Sequence, residues 1–207
     1  MEKFDKKKHW DNLYKNKVFE EVSWYQKTPK ISLEFLEKLK VSKNAKIIDI
    51  GGGDSYFVDH LLDLGFENIT VLDISENAIV RAKNRLGEKA NKVKWIVEDV
   101  TIFEPSEYYD FWHDRAAFHF LTSDVEIKKY LSALDKGLNF GGYLLIGTFS
   151  EKGPLKCSGI DIKQYSDESL SKLFNEKYDQ INCLTDDHVT PTEKIQNFIF
   201  CSFQRTN

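Results

Sequence analysis

Long apolar runs are missing from this 207-residue sequence. A helix that crosses a membrane needs about 18 or more consecutive apolar residues. No stretch of the chain comes near that length, so we expect no membrane partner. The first ten residues, MEKFDKKKHW, carry charges but no apolar segment, which argues against a secretory signal. With neither signal present, the expected location is the cytoplasm.

A large excess of one charge is also missing. The 29 basic residues nearly balance the 33 acidic ones and leave a formal net charge of −4. Proteins held along nucleic-acid phosphates need a strong positive field, so no nucleic-acid partner is expected. The charge balance does not define the oligomeric state, for which a monomer is one option.

Cysteine and proline are scarce. The three cysteines, Cys157, Cys183 and Cys201, are odd in number and have no C-x-x-C spacing. This excludes a zinc ribbon and argues against a disulfide scaffold, so we expect three reduced thiols. The four prolines lie in no Pro/Ser/Gly-rich linker, and no internal repeat is present. The chain is therefore expected to form a single domain over residues 1–207.

What the sequence has is an alternation of short β-branched apolar runs with stretches of helical periodicity, which is typical of a parallel sheet with crossover helices. Strands are predicted at 45–50, 69–74, 93–97, 109–113 and 142–149. Two later runs, at 178–184 and 195–203, have no helix between them and indicate an antiparallel hairpin. The predicted fold class is α/β, with five parallel strands and an antiparallel pair at one edge.

Polar residues mark the starts of the predicted helices. Ser75 and Ser166 are predicted N-caps, and the sequence SDVE at 123–126 forms a capping box. Thr28 is predicted to cap a helix that has Pro29 in its first turn. Side chains at these positions accept hydrogen bonds from the free amides of a first helical turn.

A glycine-rich loop joins the first predicted strand to the next helix. It reads Asp49-Ile-Gly51-Gly-Gly53-Asp54-Ser55. Glycines let a backbone turn tightly and come close to a ligand, and the helix N-terminus behind them points amide N–H groups at it. The loop is therefore the first candidate binding site, although a plain tight turn would also use glycines.

Two phosphate-binding alternatives fit this loop poorly. The dinucleotide fingerprint G-x-G-x-x-G would need its last glycine at Tyr56, and the G-K-[ST] of a Walker loop is absent. Asp49 stands directly before the loop, where a carboxylate disfavours a dianionic ligand. It suits a cationic group instead, such as the ammonium of an amino acid.

Two more carboxylates end the next predicted strands. Asp73 follows Asp49 by about two dozen residues, a spacing that suits a carboxylate accepting hydrogen bonds from a ribose diol. Asp99 ends the third strand, where a carboxylate can accept from an adenine amino group. Because ligands of open α/β sheets bind beyond the carboxyl ends of the strands, the three carboxylates are predicted to share one site.

These residues resemble the cofactor motifs of the class I S-adenosylmethionine-dependent methyltransferases. The resemblance extends over nearly the whole chain. It implies a doubly wound, mostly parallel seven-stranded sheet with an antiparallel C-terminal hairpin, the Rossmann-like methyltransferase fold. It also implies S-adenosyl-L-methionine as the cofactor and S-adenosyl-L-homocysteine as the product. Ser55 departs from the family pattern, which often has a third glycine there.

The resemblance also implies roles for particular residues. Asp73 would hold the ribose and Asp99 the adenine, with Ile74 and Val100 against the adenine faces. The residues that would hold the methionine part are Asp49, Gly51, Gly53, Asp54 and Ser55. The domain would divide into an N-terminal helical and aromatic cap (1–40), the cofactor-binding βα units (45–149), and an acceptor-side segment with the terminal hairpin (150–207).

Large aromatic residues precede the first predicted strand. Trp10 and Tyr14 form a W-x-x-x-Y element, and Trp24 follows. This arrangement resembles the cap of many such methyltransferases, including those that methylate lysines on translation elongation factors. A sulfonium cation gains about 0.5–2 kcal/mol from each aromatic face, so we predict that these residues contact the cofactor or the acceptor. The alternative is that they only pack over the end of the sheet.

Candidates for acceptor chemistry follow the fourth predicted strand. His113 and His119 are candidate general bases because histidine titrates near neutral pH. Asp114 is the third candidate, although Asp114 and Arg115 fit an internal ion pair or a substrate clamp better. The resemblance places this segment beside the transferable methyl, so His113 is also counted among the cofactor contacts. The N-P-P-Y motif is absent, which disfavours nucleobase and glutamine-amide acceptors.

A nucleophilic cysteine and a metal site are both disfavoured. Cys157 is a poor candidate nucleophile because the sequence indicates no base positioned to activate it. The predicted hairpin loop contains Asp186, Asp187 and His188, and a single histidine with sequence-local carboxylates is a weak ligand set. No metal is therefore expected.

The expected reaction is direct displacement of a methyl group from the sulfonium to an acceptor nitrogen, oxygen or sulfur. Such a reaction needs alignment and desolvation more than covalent help. A small-molecule acceptor is favoured because the compact chain carries no appended recognition domain. A protein-lysine methyltransferase is the alternative, and it predicts an acidic, open rim. A non-catalytic cofactor-binding protein is the second alternative, since a fold does not decide function.

Overall fold

The computed structural model of the protein describes residues 4–207 and contains nine strands in that range. In chain order they are β1 (Lys46–Ile50), β2 (Asn68–Asp73), β3 (Val93–Val97), β4 (Tyr109–Arg115), β5 (Leu138–Phe149), β6 (Lys156–Cys157), β7 (Ile160–Asp161), β8 (Tyr178–Val189) and β9 (Ile195–Arg205). The short strands β6 and β7 pair only with each other. The remaining strands form one sheet.

Helices occupy most of the connections. They are α1 (Lys6–Asn16), α2 (Lys30–Lys38), α3 (Phe57–Asp63), α4 (Glu76–Leu86), α5 (Asp124–Gly137) and α6 (Asp167–Phe174). Three-residue helical turns lie at Phe19–Glu21 and Phe118–Phe120, and a longer one at Gly87–Lys92. Within residues 4–207, no helix is both long and apolar enough to cross a membrane.

The main sheet has the strand order β3-β2-β1-β4-β5-β9-β8. The first five strands in this order are parallel, whereas β9 runs antiparallel to both β5 and β8. The predicted seven-stranded, mostly parallel sheet with a terminal antiparallel hairpin is confirmed. The order reverses between β1 and β4, and ligands of open α/β sheets bind at such a switch point.

Helices cover both faces of the sheet, as the apolar strands require. In β1, Ile47 points into a core with Phe35 and Phe57. Its neighbour Ile48 points into the opposite core, which contains Trp112. Side chains alternate between the faces of a strand, so a β1 that is apolar at successive positions must be buried on both sides. This burial fixes the central strands and therefore the loops at their carboxyl ends.

Most of the predicted helix caps are confirmed. The Ser75 side chain accepts a hydrogen bond from the backbone N–H of Ala78 at 3.2 Å, and capping boxes begin α5 and α6. The prediction for Thr28 is wrong. Pro29 occupies the cap position with φ −77° and ψ 71°, and the Thr28 carbonyl accepts from the N–H of Lys30 at 2.8 Å. These values form an inverse γ-turn, which uses the Thr28 backbone in place of its side chain.

The terminal hairpin is longer than predicted. Asp186, Asp187 and His188 lie in β8 and pair with β9, so their placement in a hairpin loop is wrong. The turn itself spans only 190–194. Because β8 is the outermost strand and is mostly exposed, its polar residues gave a loop-like pattern. The fourth strand also extends two residues further than predicted, to Arg115.

The prediction of three reduced thiols is wrong for two of them, Cys183 and Cys201. Cys183 and Cys201 lie directly opposite each other on β8 and β9, with Cα atoms 4.1 Å apart, and they form a disulfide. The register of the hairpin brings them together, which the spacing of the cysteines along the chain did not reveal. Cys157 is a free, buried thiol.

Candidate active site

A cavity with about 710 Å³ of empty space lies at the carboxyl ends of β1, β2, β3 and β4, beneath α1. This volume includes space that is open to solvent. Predicted site residues in its lining are Trp10, Tyr14, Trp24, Gly51, Asp73, Ile74, Asp99 and Val100, and the lining also includes Arg115, for which a substrate clamp was one option. Lining residues that were not predicted are Lys6, Ile50, Leu72, Glu98, Ala116, Ala117, Phe120 and Leu121.

The glycine loop leaves no room for side chains. Gly51 has φ +66°, and a Cβ there would lie 2.7 Å from the Cβ of Ala117. A Cβ on Gly52 would collide with the carboxylate of Asp49, and one on Gly53 would collide with the carboxylate of Asp73. The glycines therefore let the loop lie directly on the two carboxylates, which fits close backbone approach to a ligand.

Asp49 is buried beneath this loop and is held by a histidine. Its Oδ1 lies 2.6 Å from Nδ1 of His113, whose Nε2 lies 2.8 Å from Oγ of Ser32. The second oxygen, Oδ2, is buried and has no hydrogen-bond partner among the described residues. Buried polar atoms are normally paired, so Oδ2 is available to a donor that enters the site.

Asp73 and Asp99 lie at the ends of the next two strands. Oδ1 of Asp73 accepts a hydrogen bond from the backbone N–H of Ser75 at 2.7 Å. Burial, with the charges of Asp49 and Asp11, raises the pKa of Asp73 to about 7, despite hydrogen bonds from the backbone of Ser75 and Gly53 that lower it. Oδ1 of Asp99 accepts from the N–H of Thr101 at 2.8 Å.

Four predicted loop residues, Asp49, Gly53, Asp54 and Ser55, are not part of the cavity lining. Asp54 forms ion pairs with Arg85 and, at 2.8 Å, with Arg81 of α4. Burial nevertheless raises the pKa of Asp54. The Ser55 hydroxyl accepts from the N–H of Phe57 at 3.1 Å at the start of α3. Both side chains tie the loop to the neighbouring helices, and their predicted contact with the cofactor remains a prediction.

An aromatic cluster forms the roof of the cavity. The ring of Trp10 packs edge-on against Trp24 at 5.7 Å and against Phe120 at 4.9 Å, and Tyr14 lies 6.2 Å from Trp24. Burial raises the pKa of Tyr14, so its hydroxyl stays protonated at neutral pH. The three predicted aromatic residues therefore do lie together over the site.

Two polar anchors that the sequence did not reveal hold this roof on the domain. Oδ1 of Asp11 accepts from the Ser75 hydroxyl at 2.8 Å and from the N–H of Asn77 at 3.3 Å. Arg81 donates to the carbonyls of Tyr14 at 2.9 Å and Lys17 at 2.7 Å. Helix α1 is thus attached to the first turns of α4, next to Asp73.

The three candidate general bases do not line the described cavity. His113 supports Asp49, as above. Burial lowers the pKa of His119 to about 3, so this ring is neutral at physiological pH, and it stacks on Phe149 at 4.3 Å. Burial also raises the pKa of Asp114 to about 6, and one of its oxygens accepts from the N–H groups of Ala117 and Phe118, both at 3.1 Å. Through these contacts, all three residues hold neighbouring parts of the fold in place.

A weak metal-binding hypothesis concerned Asp186, Asp187 and His188. Nε2 of His188 lies 2.7 Å from the carbonyl of Ser23, and Nδ1 lies 3.3 Å from the amide nitrogen of Gln26. Both ring nitrogens are therefore engaged with the segment that precedes α2. The histidine joins the hairpin to the cap and offers no free ligand atom.

The sheet, the glycine loop and the carboxylates that end β1, β2 and β3 define a Rossmann-like domain that binds a nucleoside-containing cofactor. Residues 48–144 match the family described as "Methyltransferase domain". The chain is also 31% identical over 189 residues to malonyl-[acyl-carrier protein] O-methyltransferase 2 of Ilyobacter polytropus, which covers 84% of this chain and 70% of that protein. The chain belongs to the class I S-adenosylmethionine-dependent methyltransferases, and S-adenosyl-L-methionine is its cofactor.

Other similar proteins act on different acceptors. EEF1A lysine methyltransferase 2 of Mus musculus is 26% identical over 157 residues, which cover 68% of this chain and 64% of that protein. A solved structure of Burkholderia thailandensis 1,6-didemethyltoxoflavin-N1-methyltransferase, with bound S-adenosylhomocysteine, has a TM-score of 0.73 at 15% identity. It covers 97% of this chain and 87% of that one. The structural likeness shows the shared fold.

Proposed function

We propose that this methyltransferase transfers the methyl group to a small-molecule acceptor by direct displacement. The observation that carries the proposal is the partly covered site: residues of α1 and Trp24 lie over the cavity, and its lining includes the cation of Arg115. A protein lysine would need an open rim with acidic residues beside the methyl site. A cationic guanidinium in that lining opposes the approach of a lysine ammonium.

The residues of the cavity fit the cofactor. The unpaired Oδ2 of Asp49 would accept from the methionine ammonium. Asp73 would accept from the ribose hydroxyls, and Asp99 from the adenine amino group, with Ile74 and Val100 against the adenine faces. The cofactor supplies a methyl group on a positively charged sulfur, which is a reactive leaving group without further activation.

The remaining residues act by orientation and by exclusion of water. The rings of Trp10, Tyr14 and Trp24 lie at the cavity, where an electron-rich ring face that meets a cation is worth about 0.5–2 kcal/mol. In this proposal Asp73 and Asp99 of the lining hold the cofactor, and the histidine candidates for a general base lie outside the described lining. The acceptor must therefore bring its own nucleophilic atom, and alignment supplies up to about 7–11 kcal/mol of the barrier in well-oriented cases.

The acceptor class can be tested by following the label. Purified protein is incubated with methyl-labelled cofactor and a cell extract, and the products are separated by ultrafiltration. We expect label in the low-molecular-mass filtrate, and no transfer above background with the Asp73→Ala variant. Label confined to the protein fraction would overturn the proposal in favour of lysine methylation. Label in neither fraction, with S-adenosylhomocysteine binding intact, would indicate a non-catalytic cofactor-binding protein.

A further inference from the structure

One buried cation at the candidate site has no carboxylate in direct contact, and the charges of Asp49 and Asp186 act on Arg115 only from beyond ion-pair distance. The Nη1 of Arg115 donates to the carbonyl of Trp24 at 3.0 Å, but Nε and Nη2 are buried without a hydrogen-bond partner. Among residues 4–207, no carboxylate lies within ion-pair distance, 4.0 Å, of this guanidinium. Burial lowers the pKa of Arg115 to about 10, so the group remains charged at neutral pH. A buried, unpaired charge is costly and requires an explanation.

Aromatic rings lie beside the guanidinium of Arg115. Its guanidinium carbon lies 5.6 Å from the centre of the Phe198 ring, over the ring face. The His119 ring lies 6.4 Å from the same ring, and neither of its nitrogens has a hydrogen-bond partner within the described chain. The Arg115 charge adds to the burial that keeps His119 neutral. An unpaired guanidinium and an unpaired neutral imidazole thus share one aromatic wall.

This wall lies on the opposite side of the loop from the cofactor residues. Asp73 and Asp99 follow β2 and β3, on one side of β1. Arg115 ends β4, on the other side of β1, and Phe198 belongs to β9 beyond β5. A ligand group in the cavity that reaches Arg115 therefore lies on the β4 side of β1, away from Asp73 and Asp99.

We propose that Arg115 binds a carboxylate of the methyl acceptor. The inference deepens the proposed function, on which it rests, by naming the acceptor class: a small carboxylic acid. Nε and Nη2 of a guanidinium form a planar fork that matches the two oxygens of a carboxylate. An acceptor amine would meet a like charge in the same place.

Binding of matched probes to the protein saturated with S-adenosylhomocysteine tests this assignment. The probes are benzoate, its neutral isostere benzamide, and the cation benzylamine, followed by calorimetry. We expect benzoate to bind the complex and the other two to bind at least about tenfold more weakly. The Arg115→Met variant is expected to lose about 10- to 100-fold in benzoate affinity, because a hydrogen-bonded charge pair is lost. Arg115→Lys keeps the charge without the fork and should recover part of that loss.

The control is Arg205→Met at the far end of β9, where the guanidinium donates to backbone carbonyls of Asp135, Leu138 and Asn207. This variant should bind benzoate as the wild type does. Preferential binding of benzylamine or benzamide, equal benzoate affinity in Arg115→Met, or no benzoate binding to the wild-type complex would each overturn the assignment.

Cofactor affinity distinguishes an acceptor carboxylate from the methionine carboxylate as the ligand of Arg115. S-adenosylhomocysteine affinity should stay within about threefold of wild type in Arg115→Met, a change of under 1 kcal/mol. A parallel loss of cofactor affinity, about tenfold or more, would place the methionine carboxylate on Arg115 and overturn the inference. Failure of the proposed function would differ from both results, since it appears as label in the protein fraction while these binding affinities stand.

Discussion

The side of the site that we assign to the cofactor and the side that we assign to the acceptor are built differently. On the first side, the glycine loop lies on Asp49 and Asp73, and backbone amides and His113 orient the carboxylates. On the second side, Arg115 is buried with two nitrogen atoms that have no hydrogen-bond partner among the described residues. The first arrangement is held by bonds within the protein, whereas the second leaves donors that a ligand can satisfy.

Removing the Asp73 carboxylate should have the largest effect. We expect Asp73→Ala to weaken S-adenosylhomocysteine binding by about 100-fold or more, because two hydrogen bonds to a charged group are lost. Calorimetric titration measures this directly. Asp63→Ala, at an exposed carboxylate that pairs only with Lys89 on the surface, serves as the matched control. Equal affinities of the two variants would mean that Asp73 does not contact the cofactor.

Loosening the roof should have a smaller effect on the same side. Asp11→Ala removes the side-chain acceptor for the Ser75 hydroxyl and the Asn77 N–H, so α1 loses one of its two polar anchors and keeps the one through Arg81. We expect about tenfold weaker S-adenosylhomocysteine binding. Lys15→Ala, on the exposed side of the same helix, should leave the affinity unchanged. An unchanged affinity in Asp11→Ala would show that the roof contributes nothing to cofactor binding.

Lowering the pH should weaken cofactor binding by about as much as Asp11→Ala does. The pKa of Asp73 is about 7 in the ligand-free protein, and only the ionised carboxylate accepts two hydroxyl hydrogen bonds. Affinity for S-adenosylhomocysteine should therefore fall by up to about tenfold per pH unit below 7 and level off above it. Asp73→Asn has no proton to lose and should show a flat profile between pH 6 and 8. A flat profile in the wild type would contradict this role.

Protonation of Asp73 should weaken cofactor binding but stabilise the ligand-free fold. The folded protein holds the Asp73 proton more tightly than the unfolded chain, since the pKa rises from 3.8 to about 7 on folding. The contribution of this group to the free energy of unfolding is therefore fully present at low pH and is lost as the pH rises through about 7. In Asp73→Asn, this part of the pH dependence should be missing from thermal melts of the ligand-free protein.

The smallest predicted effect concerns the stability of the acceptor side. Without an acceptor, Arg115→Met removes an unpaired buried charge, so we expect the free energy of unfolding to rise by about 1 kcal/mol. The melting temperature should increase by about 2–4 °C. Arg205→Met, which loses satisfied hydrogen bonds to backbone carbonyls, should melt lower than wild type. A lower melting temperature in Arg115→Met would show that the guanidinium stabilises the empty fold.

The same comparison explains what the sequence could predict. Asp49, Asp73 and Asp99 lie at or just beyond the ends of strands that their own β-branched residues define, so the local pattern predicted their position at one edge of the sheet. Asp11 acts on Ser75 and Asn77, more than 60 positions away, and no local pattern reports that contact. The unpaired state of Arg115 depends on β4, β9 and the Trp24 segment meeting in space. The adjacent Asp114 suggested an ion pair, but Asp114 faces the opposite core, where it binds backbone amides.

The hairpin shows a second reason for incomplete prediction. An outer strand has one face and one edge in solvent, so the alternating polar residues of β8 resemble a loop. Its register with β9 places Cys183 opposite Cys201 and His188 opposite Gln196, and register follows from the turn and the packing together. The spacing of these residues along the chain does not contain that information.

The most direct test of the division between the two sides is one titration series. S-adenosylhomocysteine is titrated into the wild type, Asp73→Ala and Arg115→Met under identical conditions. The structure predicts that affinity collapses in Asp73→Ala and remains within about threefold of wild type in Arg115→Met. Equal losses in both variants, or a loss confined to Arg115→Met, would contradict the assignment of Asp73 to the cofactor and Arg115 to the acceptor.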